Sequence, residues 1–366
     1  MSTCTARQAE GGVTVAAIES SRIRRTLLAC ALGSTLPTLC LAQTAQTAGM
    51  PPLPPLARTA ALAAAADPSH FTFVVAGDDR PATETPTPTA TIVEIFAEVA
   101  KLKPAFMLML GDTVYGKDDT DQQLIAQEYQ QFLQLAAGAG VPVFNAPGNH
   151  EMDDKHDHPS SIMETWYRQD TGSVPYGAFT FGNSRFIALN TDDLPGSSCG
   201  GSGAQAGPSG KAGKAGKSAK AGKAGGAGTA AKAGKQKFAG DLSTTQLGQL
   251  AADLAADTAI TNVFILMHRP IYAQKASSRL TKSCRDELET LFAKYPNIRY
   301  VLASHEHLFY QPAKLDHPAP PAYLVSGGAG APLAKGGFYN YLVFTVDGSQ
   351  VTWTMVKPGD TTNAAR

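Results

Sequence analysis

The chain has 366 residues, no net charge, 43% hydrophobic residues and only 17% charged ones. That describes a soluble globular protein with ample material for one large core. Eight lysines and no acid lie between Pro195 and Asp241, so the remainder carries a net −8, which argues against nucleic acid as a required partner of the folded part.

Residues 1–42 are expected to be an export signal with an N-terminal extension. Arg22, Arg24 and Arg25 form its basic region, residues 26–41 its apolar stretch, and Cys40-Leu41-Ala42 a small-residue cleavage site. Pro37 and the short apolar run oppose a stable membrane span. A periplasmic or secreted location follows. Of five cysteines, Cys199 and Cys284 would survive processing; in an oxidising compartment they could pair, or they could remain free surface thiols.

Residues 43–69, rich in Ala, Pro and Thr, are expected to be a flexible lead-in to a domain over 70–357, with a tail at 358–366. Apolar, β-branched runs predict buried strands at 71–76, 106–110, 141–146, 263–266 and 300–303. Helical periodicity appears at 90–102, 121–135, 160–167, 244–254 and 283–295. Residues 176–181 and 185–190 form a hairpin around Gly182-Asn183, and 323–326, 339–346 and 350–356 are expected to be antiparallel strands. Two stacked sheets flanked by helices result. The stretch 196–237 has no large apolar side chain and is expected to be a disordered basic insertion.

Each of the five buried runs is followed by oxygen or nitrogen donors: Gly77-Asp78-Asp79-Arg80, Gly111-Asp112-Thr113-Val114-Tyr115, Gly148-Asn149-His150-Glu151, Met267-His268-Arg269-Pro270 and Ser304-His305-Glu306-His307. Ligands bind beyond the carboxyl ends of strands in open α/β sheets, so these donors should converge. Two metal ions would be the natural occupant. One carboxylate must then touch both ions, and Asp112 is the candidate. Asp78 and His307 would complete one ion, and Asn149, His268 and His305 the other. Mixed oxygen and imidazole donors suit iron, zinc or manganese.

This ordered set resembles the calcineurin-like metallophosphoesterase superfamily, and most nearly its purple acid phosphatase branch, over roughly residues 70–357. The resemblance implies a four-layer α/β/β/α sandwich of two mixed sheets flanked by helices. It also implies hydrolysis of a small-molecule phosphomonoester by a metal-bound hydroxide. A phosphodiesterase or nucleotidase on the same site is the alternative, and a non-catalytic polyanion- or envelope-binding protein on this scaffold is a third reading. His150 would donate a proton to the leaving alkoxide or hold phosphate, with Glu151 orienting it.

Two positions depart from the family pattern. Arg80 stands where many members carry a ligating His, and a guanidinium cannot ligate. It is left to clamp the substrate phosphate or to pair with Asp79 or another loop carboxylate. Tyr115 matches the metal-bound tyrosinate of the purple acid phosphatases, implying Fe(III) paired with Fe(II), Zn or Mn. Ser304 replaces the usual Gly before His-x-His, a small-for-small change expected to be tolerated.

Overall fold

The computed structural model describes residues 50–193, 199, 239–256, 259–312 and 321–360, all within one unit, Gln43–Arg366. The expected export segment, and the insertion at 196–237 apart from Cys199, lie outside the described residues.

In chain order the first half contains β1 (His70–Ala76), α1 (Ala90–Leu102), β2 (Met107–Met109), α2 (Gln122–Ala139), β3 (Val143–Asn145), α3 (Asn149–Met152), α4 (Ser161–Thr171), β4 (Gly177–Phe181) and β5 (Ser184–Ala188). The second half contains α5 (Thr244–Ala256), β6 (Asn262–Leu266), α6 (Lys282–Phe292), β7 (Ile298–Ala303), β8 (Phe309–Tyr310), β9 (Ala322–Ser326), β10 (Tyr341–Asp347) and β11 (Gln350–Val356). The strands form two mixed sheets, ordered β11-β10-β1-β2-β3 and β4-β5-β6-β7-β9-β8.

Alternation along β1 shows how sequence sets the layers. Phe71, Phe73 and Val75 enter the core between the sheets, while Val74 and Ala76 meet Ile92, Ile95, Phe96 and Val99 of α1. The helical residues recur at i, i+3, i+4 and i+7, one apolar face of α1. Thr89 caps that helix, its hydroxyl accepting from Ile92 N–H. On the far side, Leu247 and Leu250 of α5 and Cys284 and Leu288 of α6 cover Ile187, Ile265 and Val301. Helix, sheet, sheet and helix therefore stack as four layers. The central layer is aromatic: Phe73 stacks on Phe344 at 4.9 Å and meets Phe264 edge-on at 5.1 Å.

The structure departs from two expectations. The segment 323–326 is β9, parallel to β7 in the second sheet, whereas only β10 and β11 form the terminal hairpin, beside β1. Strands buried on both faces are apolar runs in either direction, so composition does not report their orientation. The lead-in, expected to be a flexible linker, packs on the domain at two points. Leu53 and Leu56 are buried, Leu56 N–H donates to Ala178 O, and Thr59 N–H donates to Val143 O, so this segment straps the exposed edges of β4 and β3. Its Pro and Ala residues suggested a linker, but two leucines anchor it. Finally, the short α3 and β8 were not anticipated.

Cys199 and Cys284 form a disulfide that fastens Cys199 to α6. Among the described residues no helix is long and apolar enough to cross a membrane.

Candidate metal centre

Backbone bonds stitch the loop after β1 to that after β2, and the loop after β6 to that after β7. Asp78 N–H donates to Gly111 O, Arg80 N–H to Asp112 O, and Ser304 N–H to His268 O. Asp78, Asp112, His305 and His307 all hold left-handed backbone, with φ between 52° and 69°. Non-glycine residues in that region store strain, which clusters where geometry serves function. Here the turn reverses the chain at the strand end and aims each side chain inward. Glycine is required beside them, because a Cβ on Gly148 would run into Asp112 Oδ1 and lie 2.8 Å from His268 Nδ1. A Cβ on Gly327 would likewise run into Asp78 Oδ2.

The donors gather as two overlapping triads, Asp78–Asp112–His307 and Asp112–His268–His305, each with ligand atoms within 4.8 Å of one another. Asp112 belongs to both. His268 Nε2 lies 3.2 Å from Asp112 Oδ1, 3.1 Å from Asn149 Oδ1 and 3.0 Å from His305 Nδ1. His307 Nε2 lies 3.6 Å from Asp78 Oδ1. The opposite ring nitrogens are pinned by carbonyls: His268 Nδ1 donates to Leu110 O at 2.8 Å and His307 Nδ1 to Pro332 O at 2.7 Å. Both rings thus aim Nε2 inward, the arrangement that orients metal-binding imidazoles.

The residues fit a pair of cations. Asp78 is fully buried, yet neither carboxylate oxygen has a hydrogen-bond partner. A buried carboxylate without donors is costly, and a cation resolves it. Burial accordingly pushes Asp78 upward, only partly opposed by His307 and His268. Burial would also raise Asp112, but the charge and hydrogen bond of His268, with the charge of Arg80, outweigh it and hold this carboxyl well below its usual range. His268 moves the other way: burial disfavours its charge, yet Asp112 lifts it to about 9. A cation must displace that proton to use Nε2.

His150 extends the site. Its backbone N–H donates to Asp112 Oδ1 at 3.0 Å, and Nε2 stands 3.9 Å from Asp112 Oδ2. Its Nδ1 is held by Tyr115 O, not by Glu151, which corrects the orienting role expected for Glu151. That carboxylate accepts the backbone N–H groups of Asp112, Thr113, Val114 and Gly148 at 2.6–3.2 Å, so it shapes the Asp112 loop. Burial, against the pull of Asp112, drives His150 down to about 3, leaving a neutral ring.

Arg80 Nε stands 3.6 Å from Asp112 Oδ2 without a hydrogen-bond partner, and Nη1 donates to Pro81 O. Asp79, one partner considered for Arg80, accepts instead from Thr113 Oγ1 at 3.1 Å. The Tyr115 ring lies 6.1 Å from that of His150, centroid to centroid. No contact of its hydroxyl with Asp78 or His307 is seen among the described residues.

Sequence reasoning missed the support beneath His305. Arg269, only 4% exposed, donates Nε to Asp192 Oδ1 at 2.6 Å and Nη2 to Asp153 Oδ2 at 3.3 Å, and presents Nη1 to His305 Nε2 at 3.1 Å. Its position next to His268 was the available signal.

A family profile described as calcineurin-like phosphoesterase matches residues 85–309. That span contains every candidate metal ligand named above except Asp78. No curated protein matches. Among solved structures, a dimetal phosphatase from Danio rerio is 12% identical over 79% of this chain and 99% of its own, with a TM-score of 0.48. PhoD is 13% identical over 81% and 70%, also at 0.48. A 5'-nucleotidase from Staphylococcus aureus is 12% identical over 80% and 55%, at 0.41.

Proposed function

From the premise that this chain belongs to the calcineurin-like phosphoesterases and is a phosphoric ester hydrolase, we propose that it is an exported, purple acid phosphatase-like phosphomonoesterase. The observation that carries this reading is Asp112, shared by both donor triads. Asp78, His307 and Tyr115 would hold one ion, and Asn149, His268 and His305 the other, with Asp112 between them. Such a pair supplies Lewis acidity toward phosphate and a water acidic enough to serve as nucleophile at neutral pH.

The side chains have separate tasks. Arg80, whose Nε pairs with the loop carboxylate of Asp112 across 3.6 Å without a hydrogen bond, orients its remaining donors toward the phosphate oxygens and offsets charge there. His150 meets substrate as a neutral ring; a phosphate dianion against Nε2 favours its protonated form, so the ring takes up a solvent proton as substrate binds and can pass it to the leaving alkoxide. A Tyr115 phenolate replaces the imidazole that Arg80 displaces from the family pattern, which favours Fe(III). Export is supported by the Cys199–Cys284 disulfide, a bond that persists in oxidising compartments.

The test is a phosphoester panel on purified protein together with elemental analysis and a visible spectrum. Aryl monoesters should be hydrolysed in preference to diesters by a coloured, iron-containing protein. An active preparation that is colourless and iron-free would remove Tyr115 from the ligand set. Preference for diesters would remove the monoesterase assignment.

A further inference from the structure

We propose that Ser304 is a positioning residue that fixes the donor face of His268 and thereby sets how tightly the Asn149–His268–His305 side of the centre holds its ion. The proposal rests on the two-ion reading given above.

The Ser304 side chain is fully buried at the end of β7. Its hydroxyl lies 2.8 Å from Leu110 O and 3.0 Å from His268 Nδ1, while His268 Nδ1 is itself 2.8 Å from Leu110 O. These three atoms form a triangle that admits one arrangement of protons. Leu110 O can only accept, so Ser304 Oγ–H and His268 Nδ1–H both point at it. The Ser304 oxygen then presents a lone pair as a second acceptor for the same Nδ1–H. An unprotonated Nδ1 would set two lone pairs against each other at 2.8 Å, so Nδ1 keeps its proton and Nε2 is the nitrogen that gives one up to a cation. A second acceptor on the far nitrogen also raises the basicity of the inward one.

The rotamer is fixed by its surroundings. A Cβ built on Gly77 would stand 2.8 Å from Ser304 Cβ and 2.9 Å from its Oγ, so Gly77 leaves the space that the hydroxymethyl group fills. Ser304 N–H donates to His268 O at 3.0 Å, which ties the β6 and β7 ends together whatever the side chain. The hydroxyl can therefore be removed without breaking the backbone link, and Leu110 O keeps a donor in His268 Nδ1. Glycine, the residue expected here from the family pattern, supplies no second acceptor. Serine does, next to a His305 whose Nε2 faces the cationic Arg269.

The experiment compares wild type, Ser304→Ala and Ser304→Gly as metal-free full-length protein. Each is titrated with Zn(II) against a chelating indicator, and the His268 ring nitrogens are followed by NMR. Wild type should bind two ions, and both variants should hold the ion whose binding perturbs the His268 ring about tenfold less tightly, the lower end of the range for partners that orient metal ligands. Their Nδ1 proton should exchange faster with water. A packing role predicts instead that Ala behaves as Ser while Gly alone differs, and that result overturns the proposal. So do wild-type constants and exchange rates in both variants. A wild-type protein that binds only one ion overturns the two-ion reading, and this proposal with it.

Discussion

Asp112 Oδ1 and His268 Nε2 stand 3.2 Å apart at the meeting point of the two donor triads, both side chains buried. The pair couples two strand ends, the loop after β2 and the loop after β6. In the metal-free protein each stabilises the charge of the other. Asp112→Asn keeps the shape and removes the charge. Hydrolysis should fall by at least about 10³-fold, since several kcal/mol of transition-state charge stabilisation depend on it. Metal content should drop below two ions, with circular dichroism unchanged; near-wild-type turnover would contradict the shared role.

Arg269 offers a test of stability rather than catalysis. Its guanidinium neutralises Asp192 and Asp153, both buried, and Asp153 Oδ1 already lacks a partner. Arg269→Met leaves two buried carboxylates without their cation. Breaking a buried pair from one side typically costs about 3–5 kcal/mol. Urea unfolding of the metal-free protein should show a loss of that size, and a loss under about 1 kcal/mol would mean water reaches the carboxylates.

The fold was largely legible in the sequence, and the centre legible in outline. Strands β1, β6 and β7 announce themselves as apolar runs because both of their faces are buried. The donors stand out because Asp, Asn and His follow those runs directly. What escaped depends on contacts distant in sequence. Nothing around Leu56 says that its N–H will reach Ala178 O, 122 positions on by numbering. Arg269 looks like any surface cation until Asp192 and Asp153 arrive from elsewhere. Glu151 was recognised, but its role was misassigned, because the four backbone N–H groups it accepts belong to Gly148 and a loop formed nearly forty residues earlier.

Glu128 carries a pH signature. It sits on α2, and one oxygen accepts Tyr115 N–H at 2.9 Å while the other has no partner. Burial outweighs the backbone donors and lifts it from 4.5 to about 7. A carboxyl raised on folding contributes stability that is full below its unfolded pKa and is lost as pH rises through the folded value. Wild type should therefore lose stability relative to Glu128→Gln between about pH 4.5 and pH 7, as checked by thermal unfolding of both across pH 4–8. Parallel curves would place the ionised carboxylate in contact with solvent.

The Cys199–Cys284 bond closes a loop with a sequence separation of 85. Cross-links of this kind typically contribute about 2–4 kcal/mol through the unfolded chain. The Cys199→Ser, Cys284→Ser double variant should lose stability in that range and become indifferent to thiol reductant, whereas wild type should shift downward on reduction. Denaturation curves with and without reductant decide it, and a wild type insensitive to reductant would contradict the bond.

Anomalous diffraction from metal-loaded crystals tests the central claim most directly. Two peaks should appear about 3.5–4 Å apart, one flanked by Asp78 and His307, the other by Asn149, His268 and His305, with Asp112 touching both. A single peak, or two ions of which only one contacts Asp112, would contradict the account.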